Sequence, residues 1–591
     1  MSRSLDNSSR HSIELQSAST ARLDSFSNKG SQPTQHLVST DSTSPSTAHA
    51  ESASNATDTI KKESSVSSQP LPETTEAPRK PPEYLYGLRL VLVMGAANIA
   101  IILITLNDSM IATAIPRITD EFNSVKDIGW YGSGYFITNC VFLPLASRLY
   151  TFYKTRYVFL SFLAVFEIGS LICATSQNSA MFIGGRVIAG VGAAGIFTGT
   201  YSIIGASVSQ QRRPLLGGIT MALSSTGLVA GPLVGGAITD RTTWRWCFYM
   251  NVPCGVAVMA LMLVLHMPNS AMAVRPPFKQ VLIKLDLFGF LLFSGSCAML
   301  LLAVQMAGTS YSWSSPTIVC LFWGSGGAAI AWLAWSHFRG KDTLIPLAVF
   351  KNRILSFSCL AGFMQWGGLL LVSYWLPVWF QVVQGSSPLS SGLKTLPTAC
   401  TQAISGLVGG WLVSKLGYYI PFVFFGSMCT AIGAGLMSTF SPNTPQGKWI
   451  GYQILTGTGR GLVLQMPLTA VQTSLPLQLI PVGTGLVSFA QYFGAALIVG
   501  LGETVFSNIL PRALAAKAPS VEAEGLLRGG ATNLRGVVPP NLLPGVLSAY
   551  SDAIDKVFYL AAGAGAASFV AGWGMGFNSV KKVRQQRQQQ E

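Results

Sequence analysis

Between Val93 and Phe577 the sequence returns repeatedly to apolar runs about as long as a bilayer is thick. They cover residues 93–115, 128–145, 157–174, 180–204, 215–238 and 247–266, then 285–305 and 318–335. After a further break come 354–378, 393–413, 420–440, 450–470, 482–501 and 557–577. In hydrocarbon no water satisfies backbone N–H and C=O groups, so a run of about 20 apolar residues crosses as a helix. These runs predict an all-α integral membrane protein of about fourteen transmembrane helices.

Composition excludes the other broad classes. Hydrophobic residues make up 49% of the chain and charged ones 11%, against about 25% charged in soluble domains. The formal charge of +15 lies scattered in short loops. Nucleic-acid partners need it gathered on one folded surface, so none is expected. Alternate loops carry Arg148, Lys154 and Arg156, then Arg212 and Arg213, then Arg339, Lys341, Lys351 and Arg353, then Lys415. The intervening set is poorer, with Arg117 and Lys126 offset by Asp120, Glu121 and Asp127. By the positive-inside rule both termini are expected in the cytoplasm, most simply of a multi-pass plasma-membrane protein. All nine cysteines fall in or beside apolar runs, and none of the five histidines lies mid-span, so neither a disulfide framework nor a metal site is expected.

The same pattern divides the chain. Residues 1–85 are rich in Ser, Thr, Asn and Gln and read as a disordered cytoplasmic tail. Residues 86–268 form an N-terminal six-helix bundle and 269–345 a linker with an extra two-helix hairpin. Residues 346–580 form a C-terminal six-helix bundle with a long external loop at 506–556, and 581–591 a basic cytoplasmic tail. A short repeat supports the two halves: Arg186-Val-Ile-Ala-Gly-Val-Gly-Ala193 matches Gln453-Ile-Leu-Thr-Gly-Thr-Gly-Arg460 at both glycines. Shared glycine-rich packing is the alternative explanation of that match.

Two motifs are decoys. Gly190-Val-Gly192-Ala-Ala-Gly195 fits a dinucleotide fingerprint but lies inside an apolar run without a preceding strand, and no P-loop occurs. No cofactor, catalytic constellation or enzyme activity is therefore expected, and energy for any transport must come from a gradient or another subunit.

In the fifth run, Gly227-Leu-Val-Ala-Gly231-Pro232-Leu-Val-Gly235-Gly236 puts glycines four apart on one helix face. They admit a second backbone closely, and Pro232 is expected to open a kink. This element leads to Trp244-Arg-Trp-Cys-Phe-Tyr-Met-Asn-Val-Pro-Cys-Gly255. Upstream stand Leu106-Asn-Asp-Ser-Met-Ile-Ala-Thr-Ala-Ile-Pro116, Asp127-Ile-Gly-Trp-Tyr-Gly132 and Gly185-Arg186. Together they resemble the major facilitator superfamily over about Tyr84 to Phe577, in particular the fourteen-helix drug/proton antiporter branch with its fungal toxin-efflux and multidrug members. The resemblance implies the major facilitator fold, with the Gly-Pro element as the antiporter motif and exchange rather than uptake. Asn107 stands where the branch carries Asp, with Asp108 next and turned about 100° around the helix. Thr151 and Ser414 occupy loop positions that are acidic in the family.

Ionisable side chains inside spans are costly and so are functional candidates. Asp108, Glu167 and Arg186 are the proton-coupling candidates: burial favours an uncharged carboxyl, and a nearby Arg favours the charged form. A static ion pair or a snorkelling side chain is the plain alternative for Asp108, as it is for Glu503. Tyr374, Trp375, Arg460, Gln465, Gln491 and Phe493, with Tyr492 beside them, are candidates for a substrate cavity of aromatic walls and few polar anchors. An interfacial aromatic belt is the alternative for the aromatic members. The expected protein is a monomer in the lipid bilayer that exports a small amphipathic molecule (a toxin, secondary metabolite or drug) against protons. A gradient-driven importer, such as one for a siderophore or nutrient, would share the architecture.

Overall fold

In a computed structural model the described residues are 84–122, 127–265, 278–307, 311–476, 479–519 and 538–579. The expected N-terminal tail up to residue 83 and the basic tail at 581–591 lie outside them, as do residues 266–277 at the start of the linker and the end of the bundle before it.

The described chain is almost entirely helical. In the first half run α1 (Gly87–Phe122), α2 (Ile128–Phe152), α3 (Thr155–Thr175), α4 (Ser179–Ser207), α5 (Arg213–Arg241), the short α6 (Trp246–Tyr249) and α7 (Asn251–Val264). Next come α8 (Phe278–Leu285), α9 (Leu287–Met306) and α10 (Pro316–Arg339). The second half holds α11 (Arg353–Val382), α12 (Pro388–Lys394), α13 (Leu396–Leu416), α14 (Ile420–Met437), α15 (Gln446–Val463), α16 (Met466–Ser474), α17 (Ile480–Lys517) and α18 (Leu543–Gly572). Among the described residues, 10 helices are long and apolar enough to cross a membrane. The more polar α2, α5, α13 and α15 fall outside that set.

Local chemistry fixes the ends. The Asn178 side chain accepts from Met181 N at 2.8 Å to open α4, and Asn352 accepts from Ile354 N at 3.0 Å to open α11. Gly417, at φ 89°, closes α13 in a left-handed conformation that glycine adopts without penalty. The expected run at 450–470 is divided into α15 and α16 around Leu464 and Gln465. Pro467 sits in the first turn of α16 and cannot donate to the preceding turn.

The helices pack as two halves that repeat one another. In the first half α4 packs on α3 and α2, and α5 packs on α1. In the second, α15 packs on α14 and α13, and α17 on α11. The glycines of the sequence repeat occupy matching places. A Cβ at Gly190 would strike Thr138 and Tyr135 of α2, and one at Gly457 would strike Thr401 and Thr398 of α13. Gly192 meets Phe166 of α3, as Gly459 meets Gly426 and Thr430 of α14. Close backbone approach through small residues is what joins helices where lipid removes the hydrophobic drive.

The halves meet along α5 with α13 and α2 with α17, while α9 and α10 form a hairpin whose α9 touches α2 and α17. We call the face where α1 begins the near face. Gly218 lies against Gly406 at the middle of α13, while Gly410 lies against Pro214 and Gly485 against Ser147 in the near halves of their helices. The two bundles are thus sealed against each other on the near side.

One expectation is corrected. In the segment expected as an external loop at 506–556, the described residues are largely helical, since α17 continues to Lys517 and α18 starts at Leu543. Phe506, Leu510 and Leu514 repeat every fourth residue and pack with Val546, Ala549, Tyr550 and Ala553 in one apolar cluster. Lys517 Nζ joins the two helices by donating to Ser548 Oγ at 2.8 Å and pairing with Asp552 at 2.5 Å. At 1.5 Å per residue, the 38 residues of α17 extend about 57 Å, well beyond the hydrocarbon thickness of about 30 Å.

Candidate functional site

The glycine motif of α5 faces α1. Gly227 lies against Thr105, Gly231 against Ser109 and Gly235 against Thr113, so that glycines four apart meet hydroxyls four apart. Ser109 Oγ donates across the seam to Gly227 O at 3.3 Å as well as to Thr105 O at 3.0 Å in its own helix. Gly236 faces open space, and α5 runs unbroken through Pro232, whose side chain lies outside the described set. The seam therefore sets the position of α1 at Ser109, one residue from Asp108.

Arg186 of α4 is completely buried. Its Nε donates to Tyr131 O at 2.9 Å, and its guanidinium lies over the Tyr135 ring, 4.3 Å from the centroid. Nη1 and Nη2 have no hydrogen-bond partner. Asp108 lies within electrostatic reach of Arg186, Tyr135 and Tyr492. No ion pair within 4.0 Å joins Arg186 to a carboxylate among the described residues. Arg186 thus keeps an unsaturated fork, in low dielectric, near a carboxyl on a different helix.

Glu167 of α3 stands apart from that pair. It is 6% exposed, its two carboxyl oxygens have no donor, and its side chain packs against Gly255 of α7, where a Cβ would overlap it. One helical turn on, Ser170 Oγ receives the Asn251 amide at 3.3 Å, and the same amide reaches Asn107 Oδ1 at 3.4 Å. Asn251 Oδ1 is without a partner, and the Asn107 side chain also hydrogen-bonds with Tyr135. A file of buried polar groups thus runs from α3 through α7 to α1, ending beside Asp108. The file was not legible in sequence, because lone amides in apolar helices carry no periodic signal.

The cavity candidates separate. Gln465 accepts from Tyr201 Oη of the opposite half at 3.2 Å and packs against Gly217, so it belongs to the seam between bundles. Gln491 is buried against Gly362, and its Nε2 donates to Leu464 O at 3.4 Å. Arg460 is buried and donates from Nη2 to Gly368 O at 3.0 Å, leaving Nε unpaired. Phe493 stacks on Phe489 at 5.2 Å, and Phe489 in turn meets Phe293 of the hairpin. Trp375 packs on Phe506 at 4.5 Å within the C-terminal core, away from the opposite bundle, and Tyr374 is exposed.

What the structure adds is an aromatic group spanning both halves. The Tyr492 ring lies 5.2 Å from Trp366, 5.3 Å from Phe197 and 5.8 Å from Phe136. Single aromatics in apolar runs look like core, and only the meeting of four helices reveals this group.

Two repeated helical halves, with unpaired polar groups gathered at their seams, have the architecture of a secondary transporter. The family profile of the Major Facilitator Superfamily matches residues 97–499, and the chain belongs to that family. It is a multi-pass membrane transporter. Over 501 residues it is 41% identical to the MFS-type transporter pigP of Monascus ruber, covering 84% of this chain and 88% of that one. The efflux pump mlcE of Penicillium citrinum is 41% identical over 519 residues, covering 86% and 94%. The efflux pump mokI of Monascus pilosus is 42% identical, covering 83% and 92%. Among solved structures, the proton:xylose symporter XylE shares the fold at a TM-score of 0.56 and 14% identity, covering 84% of this chain and 98% of that one. The human organic anion transporter MFSD10 does so at a TM-score of 0.53 and 12% identity, covering 81% and 100%.

Proposed function

We propose that this transporter exports a small amphipathic molecule in exchange for protons, by alternating access between its two bundles. In this reading about fourteen helices cross the plasma membrane, both termini are cytoplasmic, the near face is the cytoplasmic one and the working unit is a monomer. The observation that carries the proposal is the placement of Asp108 beside the α1–α5 glycine seam and within the field of the half-unpaired Arg186. Relatives named efflux pumps support the outward direction.

Asp108 and Glu167 take up and release the proton. Arg186 lies within electrostatic reach of Asp108, and any movement of α1 along its seam changes that interaction. Tyr492, Trp366, Phe197 and Phe136 supply aromatic walls for the substrate, with Gln465, Gln491 and Arg460 as polar anchors. One proton moving down about 100 mV and about one pH unit supplies about 2.3 and about 1.4 kcal/mol. That sustains a substrate gradient of several hundred-fold, on the scale of about 1.4 kcal/mol per decade.

The test is to delete the gene and restore it with the wild-type chain or with Asp108→Asn, comparing small molecules retained in cells and released to the medium. Export predicts at least one compound retained on deletion, released by the wild type and retained again by Asp108→Asn. A compound that instead accumulates outside on deletion identifies an importer and overturns the proposal.

A further inference from the structure

On the outer side of the C-terminal bundle, α13, α14 and α15 enclose an apolar groove of about 510 Å³. One wall is a single stripe of α13 holding Ile404, Val408 and Leu412. The other is the start of α14, with Pro421 and Phe425, and Leu462 of α15 forms the floor. Ile404 is 62% exposed and Phe425 52% exposed, so the groove opens outward to the bilayer.

Its near end is charged. Lys415 continues the stripe one turn beyond Leu412 and is exposed, with its Nζ 5.1 Å from the centroid of the Trp411 ring, itself half exposed. No Asp or Glu occurs in α13, α14 or α15, and no ion pair to Lys415 exists among the described residues. The first turn of α14, which lines the groove, adds the positive end of its helix dipole at the same place. From Ile404 to Lys415 the stripe rises about 16 Å. That matches the depth of one leaflet, half of about 30 Å.

We propose that this groove is a binding site for an anionic phospholipid, with one acyl chain along the α13 stripe and its phosphate between Lys415 and the start of α14. Trp411 sits at headgroup level beside it, where an amphipathic ring is most stable. The site lies on the opposite side of α13 from Gly406 and Gly410, which meet α5. A lipid held there braces the helix that forms the near-side seal.

Native mass spectrometry of the full-length chain, titrated in detergent with phosphatidylinositol and separately with phosphatidylcholine, tests the assignment. The wild type is expected to retain phosphatidylinositol more tightly. Lys415→Gln is expected to remove that preference, a loss of about fivefold, the factor for about 1 kcal/mol per basic residue at an anionic surface. Lys415→Arg keeps the preference. Val408→Trp and Ile404→Trp each fill the groove from its exposed wall and reduce retention of both lipids. Equal retention of the two lipids by the wild type overturns the proposal, as does unchanged phosphatidylinositol retention in Lys415→Gln or in both tryptophan variants. If the tryptophan variants keep the lipid but lose binding of the amphipathic dye rhodamine 6G, the groove is a substrate entrance and the lipid site is refuted.

Discussion

Glu167 is held in an unusual position for a carboxyl: both oxygens are buried without donors, against a glycine that leaves just enough room. Gly255→Ala forces the side chain out of place and is expected to lower stability by about 1–3 kcal/mol, as overpacking does. Thermal unfolding of the purified protein reads this, and adding Glu167→Ala is expected to restore most of the loss. No recovery in the double variant would mean that Gly255 serves some other contact. Glu167→Gln keeps the packing, so it is expected to fold normally and yet lose the dependence of export on an imposed pH gradient. At this scale the sequence was informative wherever charge was involved. Asp108, Glu167 and Arg186 stood out because ionised groups are costly in hydrocarbon. Asn107 stood out only as a replacement for Asp, and its link through Asn251 to Ser170 was invisible, since Asn107 and Asn251 meet across 144 residues of chain.

The seam between α1 and α5 has no room for added side-chain atoms at Gly227, Gly231 and Gly235. A Cβ at Gly231 would overlap Ser109 Oγ, so Gly231→Ala is expected to reduce export about tenfold by moving α1 and with it Asp108, about 1.4 kcal/mol of lost positioning. Ser109→Gly in the same chain removes the obstructing hydroxymethyl group and is expected to recover export. Failure of that rescue, with normal expression, would show that Gly231 acts other than through α1. The glycine face was legible because a period of four is a helix signature, whereas its partners Thr105, Ser109 and Thr113 were not read as a matching face. The segment 506–556 was misread for the opposite reason. Its mixed charges suggested a loop, while the spacing of Phe506, Leu510 and Leu514 already carried a helical face that α18 covers.

For the whole molecule, the repeat of two halves was readable from Gly190, Gly192, Gly457 and Gly459, and their matched contacts follow from it. How the halves meet was not readable, because α5 meets α13, and α2 meets α17, through residues that look like ordinary helix packing in sequence. At mid-depth, just beyond the near-side seal, Gln402 Nε2 donates to Ser225 Oγ at 2.8 Å. Cysteines at these two positions are expected to cross-link on oxidation, stop export and restore it on reduction; export that continues while cross-linked would deny that the seal opens. The most direct test of proton-coupled export is to reconstitute the purified chain in sealed vesicles with a pH dye inside, using a compound retained by the deletion strain. Substrate movement is predicted to drive protons the opposite way in the wild type and not in Asp108→Asn. Substrate transport by the wild type with no accompanying proton movement would contradict the account.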